Sequence, residues 1–350
     1  HILVFMVHLL ERQVTANRYL FLAILPEVIV ILMSFMVLFL RQGVLTQSIK
    51  LIEADQQGYD NIWAAFLTVP SAGHQLEELR RIIKSIRPLH APRQYNRVPR
   101  GENNIIVKIA SEFVERNHGA RKKLKRFISG SDEKQIHEKQ HGGSVAEEKN
   151  EAYKQIDFDS PVSSLDQLFV QAAGVEPILR RKVQEWALAS HGFFPAVNRG
   201  VKTFVSWEDV EATPALKNQI KWTSLKRPTR AVEKLLRSYG GDTSKLVDIC
   251  RSSIVYEEVR DVTACMETIL QDPDVTILRV KNRLDMHYDS KMSAGYRDVA
   301  MNMRIISDET IKMGCETHVC EVQLILRPFA ENKSEKGHKL YVQFRNARAE

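Results

Sequence analysis

The fold is decided by "SAGYRDVAMNMRI", residues 293–305, and by "HVCEVQLIL", residues 318–326. In both stretches apolar and polar side chains alternate, which is typical of a β-strand with one buried face. The inward positions are Val299, Met301, Met303 and Ile305 in the first stretch and Cys320, Val322, Leu324 and Leu326 in the second. The outward positions are Tyr296, Asp298, Asn302 and Arg304, then Glu321 and Gln323. An ordinary solvent-facing sheet gives the same alternation, but this mixture of charges and a tyrosine also suits a binding surface.

Two earlier stretches extend the same sheet. In "VTILRVKNR", residues 275–283, the alternation predicts one face with Thr276, Leu278 and Val280 and another with Ile277, Arg279, Lys281 and Arg283. The stretch "KLVDICRSSIVY", residues 245–256, reads as a strand with Asp248 inside an apolar run. A buried carboxylate is costly unless it is paired or binds a metal. We therefore expect Asp248 to have a partner.

A basic helix precedes that strand, in "RPTRAVEKLLRSYGG", residues 227–241. Pro228 suits a first helical turn, and Gly240 and Gly241 end the helix. Arg230, Lys234 and Arg237 are spaced i, i+4, i+7 and form one stripe, with Lys226 just ahead of it. Four cations on one face suit a triphosphate, although a solvated helix face has the same pattern. Both interpretations stay open.

The bulk properties exclude several classes of protein. Net charge is +7 over 350 residues, and its excess lies in residues 75–130, which hold 14 Lys and Arg against five Glu. Few aromatic residues interleave with these cations, so nucleic acid is not an expected partner. Four cysteines without regular spacing indicate a reducing compartment, and "CETHVC", residues 315–320, lacks the spacing of a zinc site. The dinucleotide, P-loop and zincin signatures are absent.

A long apolar stretch lies near the start of the chain. "YLFLAILPEVIVILMSFMVLFL" occupies residues 19–40, between Arg18 and Arg41. About 20 apolar residues cross a bilayer core as a helix, so we expect a transmembrane span here, and residues 2–10 have the composition of the end of an earlier one. The basic segment after this stretch predicts that the rest of the chain lies on the cytosolic side, or on the stromal or matrix side of an organelle membrane.

These patterns divide the chain into four regions. We expect a membrane segment at residues 1–44, a basic helical juxtamembrane region at 45–128, a disordered linker at 129–166 and a folded domain at 167–350. The juxtamembrane helices serve either as a connector or, with the membrane helix, as the contact of a homo-oligomer. The predicted fold class is α+β, a mixed β-sheet with flanking helices, preceded by a transmembrane helix and a helical connector.

Three motifs in order resemble one known family. "SLKRPTRAVEKLL" is similar to its basic ATP-binding segment, and Lys226 and Lys234 keep the eight-residue spacing of its two lysines. "LVDICRSSIVY" resembles its strand with a metal-binding aspartate. "GYRD" and "CEVQL" resemble its Gly-Tyr segment and its Glu-x-Gln strand. Residues 168–350 therefore resemble the RelA/SpoT-type nucleotidyltransferase domain, the (p)ppGpp synthetase.

The resemblance implies a Mg²⁺-dependent transferase that moves pyrophosphate from ATP to the 3′-hydroxyl of GDP or GTP. It implies that Asp248 and Glu321 bind Mg²⁺ and serve catalysis, and that Glu321 accepts the hydroxyl proton. The other implied site residues are Lys226, Arg230, Lys234 and Arg237 for ATP, and Tyr296, Lys281, Arg283 and Arg304 for the acceptor nucleotide.

The chain departs from the family pattern at several places, including an arginine, Arg251, that follows Asp248 sooner than in the family and a longer stretch between Tyr296 and Glu321. Ser224 stands where the family usually has an arginine, and Asp298 and Ala300 stand where it often has serine and histidine. A second class therefore stays open, a catalytically degenerate nucleotide-binding sensor or scaffold domain of a membrane protein. The retained Asp248 and Glu321 favour the enzyme.

Overall fold

The computed structural model describes residues 2–86, 92–97, 156–198 and 200–333, and within the first helix some side chains before residue 53 are not described. The chain divides into two compact units. One contains residues 1–55 and 335–349, and the other contains residues 56–334 and residue 350. The predicted linker falls largely, and the predicted basic region in part, on residues 98–155, which lie outside the described residues. The described part of the basic region is mostly helical, as predicted.

The described helices are eight α-helices and three short 3₁₀ turns. The α-helices are α1 (Ile2–Leu67), α2 (Ala72–Ser85), α3 (Leu165–Ala189), α4 (Trp207–Ala212), α5 (Pro228–Tyr239), α6 (Val259–Gln271), α7 (Asp308–Met313) and α8 (Arg327–Asn332). The 3₁₀ turns are Pro214–Gln219, Thr243–Lys245 and Ser290–Ser293.

The described strands form two sheets. They are β1 (Tyr95–Arg97), β2 (Ile156–Pro161), β3 (Phe193–Asn198), β4 (Val201–Ser206), β5 (Arg251–Tyr256), β6 (Val275–Asn282), β7 (Val299–Ile305) and β8 (Cys320–Leu326). β1 and β2 pair with each other, and the other six form a sheet in the order β4-β3-β5-β8-β7-β6. Among these described strands only β5 and β8 are parallel, so the sheet is mixed and the α+β prediction is confirmed.

In the first unit, α1 carries a strongly apolar stretch. All the side chains of residues 29–40 are exposed. The predicted span at residues 19–40 also includes side chains outside the described set. Within the described residues, none of the helices combines the length and the hydropathy that a membrane crossing requires. The transmembrane assignment stays a prediction.

In the second unit, strand register gathers the polar side chains in rows. Arg251 of β5 lies opposite Glu321 of β8, which lies opposite Asn302 of β7, which lies opposite Arg279 of β6. Since alternate side chains point to opposite faces, these four share one face. Ile254, Met301, Met303, Val322 and Leu324 face the other way and are fully buried in the core. The predicted division of the sheet into an apolar and a polar face is therefore present.

A β-bulge in β6 corrects one part of that pattern. The register shifts between Ile277 and Arg279, so that Ile277 lies opposite Met303 while Arg279 lies opposite Asn302. An extra residue in one strand reverses the facing of the residues after it. Ile277 thus joins the core, and the prediction that it shares a face with Arg279 is wrong. Because of the bulge, β6 contributes side chains to the core at its start and to the polar face at its end.

The second compact unit begins at residue 56, before the domain start expected at residue 167. Tyr59 and Trp63 of α1 and Leu76 and Leu79 of α2 belong to the same hydrophobic core as the sheet. Part of the expected linker, Ile156–Pro161, is strand β2. Composition alone misses these contributions because the helices and the sheet are separated by a long stretch of sequence.

A short strap, residues 92–97, crosses part of the polar face. The Gln94 side chain donates to the carbonyls of Leu246 and Val319, both at 3.1 Å, and its oxygen accepts from the Val319 backbone N–H at 2.8 Å. Gln94 is completely buried. The strap therefore covers one end of the polar face.

Candidate functional site

The first part of the site is a lysine cluster, defined as Lys226, Lys234 and Asp248. The Lys226 backbone N–H donates to the carbonyl of Ile249 at 2.9 Å, which places the start of α5 beside the loop that carries Asp248. Both lysine ammonium groups donate to the same carboxylate oxygen, Oδ2 of Asp248, with Lys234 at 2.9 Å. Asp248 lies in the loop before β5, and not within the strand as the sequence pattern indicates.

Asp248 is 7% exposed, and its other oxygen, Oδ1, is buried with no hydrogen-bond partner among the described residues. Burial acts to raise the pKa of this carboxyl, but the charges of Lys234 and Lys226 outweigh it and lower the pKa to about 2. The group is therefore a carboxylate at any physiological pH. It offers one free oxygen to a cation.

Glu321 lies at the start of β8, next to this cluster. Its backbone N–H donates to the carbonyl of Cys250 at 3.0 Å, so the parallel pairing of β5 and β8 holds it close to the loop that carries Asp248. Its side chain is partly buried. Burial raises its pKa, and the negative charges of Asp248 and Asp298 raise it further. Glu321 is therefore a stronger proton acceptor than an ordinary glutamate.

Cations surround the two carboxylates. Lys281 of β6 is exposed, and burial of its stem and the charges of Arg279 and Arg283 lower its pKa, while Glu321 opposes that shift. Arg251 of β5 lies opposite Glu321, and its Nε is buried without a hydrogen-bond partner in the described part of the chain. The sequence analysis did not assign Arg251 to the site. Its position three residues after Asp248 is the signal that could have indicated it.

A separate part of the site is a tyrosine cluster, defined as Arg283, Tyr296 and Asp298. Arg283 donates from its guanidinium to Oδ1 of Asp298, and the Arg283 backbone N–H donates to the Asp298 carbonyl at 2.8 Å. Asp298 is completely buried, and this burial raises its pKa although Arg283 opposes the shift. Arg283 is thus already paired within the chain.

Tyr296 lies against the end of α1. Its ring contacts that of Tyr59 edge to face at 5.8 Å between centroids. The preceding residue, Gly295, has φ +82°, and a Cβ there would come within 2.8 Å of the Tyr59 Cβ. Only glycine fits this backbone without strain. The close approach fixes the position of the Tyr296 ring.

Lys333 is a second residue that the sequence did not reveal. It follows α8, and its ammonium nitrogen lies 4.9 Å from the centroid of the Tyr296 ring. Burial lowers its pKa, the charge of Asp298 opposes this, and that of Arg251 adds to it. No motif marks a lysine at this distance along the chain from the tyrosine.

Arg304 does not join the site, contrary to the sequence prediction. It is completely buried, and its guanidinium donates to the carbonyls of Thr317 at 3.0 Å and Arg93 at 2.8 Å. The alternation of β7 was right, but the strap covers this part of the polar face. Arg304 therefore anchors the strap.

The remaining predicted cations lie along α5. Arg230 is partly exposed and pairs with Glu233 at 2.8 Å, one turn further along the helix. Arg237 belongs to the last turn and is also partly buried. Of the four predicted phosphate-binding cations, the structure brings Lys226 and Lys234 to Asp248.

The histidine of "CETHVC", His318, lies in the core. His318 is completely buried and its pKa falls to about 3, since burial and the nearby Arg304 charge disfavour the imidazolium. Across the described ranges, no group of three or more His, Cys, Asp or Glu side chains could hold a metal ion. Asp248 and Glu321 are the carboxylates that could hold a cation together with phosphates, which is how Mg²⁺ is usually bound.

Comparison with known proteins gives a limited likeness. No family model matches the chain, and no curated protein matches it. Among solved structures, it is similar to the small alarmone synthetase 2 from Bacillus subtilis, at 17% identity and a TM-score of 0.34 over 52% of this chain and 81% of that one. The chain is also similar to the small alarmone synthetase 1 from Bacillus subtilis, bound to its product pppGpp. The identity is 15% and the TM-score is 0.33, over 52% of this chain and 90% of that one.

A GTP pyrophosphokinase family protein from Streptococcus pneumoniae gives 18% identity and a TM-score of 0.27 over 40% of this chain and 78% of that one. These structures belong to the class that the sequence motifs resemble. At such identities and TM-scores the likeness assigns neither a family nor an activity to this chain. The function of the chain rests on the geometry of its own site.

Proposed function

We propose that the chain is a Mg²⁺-dependent pyrophosphotransferase that moves the β,γ-pyrophosphoryl group of ATP to the 3′-hydroxyl of GDP or GTP. One observation carries the proposal. Asp248 presents a free, charged oxygen beside Glu321, while Lys226 and Lys234 hold its other oxygen. Carboxylates and lysines so arranged suit a metal ion and a polyphosphate together.

The lysine cluster suits the donor nucleotide. The Lys226 side chain is 11% exposed and that of Lys234 is 25% exposed, and both ammonium groups are bonded to Asp248. Phosphoryl transfer needs alignment and charge neutralisation more than covalent help from the protein. The two ammonium groups would neutralise phosphate oxygens, and a bound Mg²⁺ would polarise the transferred group.

Glu321 suits the acceptor side of the reaction. A carboxylate whose pKa is raised accepts a hydroxyl proton more readily at neutral pH than an ordinary glutamate does. Arg251 and Lys281 flank it with positive charge. A 3′-hydroxyl between Glu321 and the lysine cluster would lose its proton to Glu321 as it attacks the β-phosphorus of ATP, and AMP would leave.

A second candidate is a nucleotide-binding sensor domain without catalysis. The observation that favours it is the pairing of Arg283 with Asp298, which occupies a cation expected to bind the acceptor. Ala300, opposite Lys281 and Gln323 in the sheet, also leaves a small side chain where the resembled family often has histidine. Such a domain would bind nucleotide and transfer nothing.

The deciding experiment uses the full 350-residue chain with Mg²⁺, ATP labelled at the γ-phosphate, and GDP or GTP. The nucleotides are separated by chromatography. We expect labelled guanosine tetra- or pentaphosphate, and we expect Asp248→Asn and Glu321→Gln each to reduce its formation by about 100-fold or more, because a catalytic metal contributes several kcal/mol.

Lys312→Met is the matched control, because Lys312 is an exposed lysine on α7. Its rate should equal that of the unmodified chain. Nucleotide binding without any product, unaffected by both carboxylate substitutions, would overturn the transferase and favour the sensor. A product whose yield the two substitutions leave unchanged would refute the assigned carboxylates.

A further inference from the structure

The tyrosine cluster contains an interaction that the proposed function does not use. Tyr296 is held in place from one side by the chain itself, since Gly295 packs against α1 and the Ser293 hydroxyl donates to the Tyr296 carbonyl at 2.6 Å. Tyr59, which contacts the Tyr296 ring, is itself stacked on Phe329 of α8 at 6.0 Å with an interplanar angle of 6°. The ring is therefore a fixed element.

Lys333 is the movable partner of that ring. Its ammonium lies 4.9 Å from the ring centroid, within the distance of a cation–π interaction. The residue is exposed, and its ammonium is carried on a flexible four-carbon stem. We expect a ligand to come to the ring from this side, because Lys333 is exposed.

Charges of both signs surround Lys333. Asp298 and Glu321 attract its ammonium, whereas Arg251 and Lys202 repel it. Asp298 already forms an ion pair with Arg283, so its charge is shared between Arg283 and Lys333. The lysine is thus positioned by opposing forces and by the ring.

A purine base and this ammonium compete for the same space. Base–aromatic stacking needs direct contact between the two ring faces, and an ammonium over the ring fills that layer. We infer that Lys333 is a displaceable occupant of the Tyr296 ring, which a purine acceptor must move before it stacks. This inference rests on the proposed function and on the acceptor-binding role that the family resemblance implies for Tyr296.

The consequence is a selectivity device. A ligand with a strong stacking base displaces the lysine, whereas one that offers only phosphates does not. The displaced ammonium remains near Glu321 and Asp298, whose charges attract it. Lys333 therefore raises the acceptor concentration that the site requires without taking part in the chemistry.

The test compares the full unmodified chain with Lys333→Met, which keeps much of the stem and removes the charge, and with Lys312→Met as control. At saturating ATP, Lys333→Met should lower the KM for GDP by about two- to five-fold, the effect of losing an exposed cation–π contact. Its kcat and its KM for ATP should not change. Lys312→Met should match the unmodified chain in all three.

A labelling experiment distinguishes a lysine that the acceptor displaces from a lysine that binds an acceptor phosphate. Reductive methylation followed by mass spectrometry should label Lys333 faster when GDP is present, because the displaced ammonium is freed from the ring. A lysine that binds an acceptor phosphate would be protected by GDP. Protection, or a KM for GDP that rises or stays the same in Lys333→Met, overturns the inference.

Failure of the proposed function is recognised separately. If the unmodified chain makes no product, calorimetry of GDP binding replaces the kinetics. Tighter GDP binding by Lys333→Met than by the unmodified chain would then support the displaceable lysine in the absence of catalysis. Undetectable or equal GDP binding in the two chains would overturn it.

Discussion

Asp248 and Asp298 are two buried aspartates in one site, and they differ in the charges around them. Asp248 has two lysine partners, and its pKa falls to about 2. Asp298 has one arginine partner and no exposed surface, and its pKa rises. Each leaves one oxygen without a hydrogen-bond partner among the described residues. The balance between burial and the number of cations therefore decides which aspartate stays fully charged.

The difference indicates two separate roles. Asp248 lies with Lys226 and Lys234, whose side chains are partly exposed. Asp298 is enclosed and ties Arg283 to the start of β7. We interpret the lysine cluster as the part that binds a ligand, and the Arg283–Asp298 pair as the part that holds Tyr296 in place.

The largest effects are expected when one cation of each cluster is replaced by methionine. Lys234→Met should lower kcat/KM for ATP by about 100-fold, the effect of losing one charged group that stabilises a transition state. Arg283→Met should instead raise the KM for the acceptor by about ten-fold, the effect of removing a positioning contact worth about 1.4 kcal/mol. Steady-state kinetics with each substrate varied in turn measures both.

The two outcomes are contrasted within the same assay. If Lys234→Met changed the acceptor KM alone, or Arg283→Met changed the ATP KM alone, the division into two clusters would be contradicted. Unfolding curves of both variants are needed, since Arg283→Met leaves Asp298 buried without its cation.

The next effect concerns the glycine that fixes the tyrosine cluster. Gly295→Ala should lower the free energy of unfolding by about 2–4 kcal/mol, because it adds a clash with Tyr59 to the strain of a positive φ. Gly240→Ala is the matched control. Its φ is +57°, no atom lies within 4 Å of the added Cβ, and its cost should be about 1 kcal/mol.

Chemical denaturation of the two variants measures these costs. Equal losses would show that the contact with α1 does not constrain Gly295. In a nucleotide-binding assay, Gly295→Ala alone should weaken acceptor binding, since only Gly295 adjoins Tyr296.

The titration of the two aspartates should run in opposite directions. Asp248 should stay ionised as pH falls and take up its proton only near pH 2. Its folded-state pKa lies below 3.8, so it stabilises the fold above that pH, and the stabilisation is lost as pH falls towards 2. Asp298 has a raised pKa, so the folded state binds its proton first, and its ionisation lowers stability as pH rises through that pKa.

Carbon-13 NMR of the aspartate carboxyl groups follows each titration. Asn substitution at either position assigns its signal. The comparison fails if Asp298 protonates at a lower pH than Asp248. Lys234→Met should move the Asp248 midpoint upward, since it removes the larger of the two favourable charges.

The smallest expected effect is at Arg230. Because it is partly exposed and paired with Glu233, Arg230→Met should change kcat/KM for ATP by less than about three-fold, within the range of an exposed ion pair. A loss that approaches the one expected for Lys234→Met would extend the lysine cluster along α5.

The sequence predicted the polar face well because strand alternation is a local property. Lys281 lies close enough to Glu321 to interact with its charge, as the alternation indicates. The motifs pointed to Lys226, Lys234 and Asp248 separately, and the structure brings these three together. These features depend on spacing within single elements and on the pairing of adjacent strands.

The failures have a different physical origin. Arg304 obeys the alternation of β7 but lies beneath a strap from a distant part of the chain, since its partner Arg93 precedes it by 211 residues. Ile277 is displaced by a bulge, which no periodic pattern predicts. Lys333 and Tyr59 reach Tyr296 through contacts between distant segments. A single sequence shows which face is polar but does not show what covers it.

The strap also determines where the chain can be cut. A fragment that begins at residue 166 would contain all six strands of the main sheet, and composition alone recommends that boundary. It would lack Gln94, the Arg93 carbonyl and Leu79, so Arg304 would lose a hydrogen-bond acceptor and the core would lose buried side chains of α1 and α2. An inactive fragment of that kind would report on folding and not on chemistry, and recombinant work on the sheet should begin before Gln56.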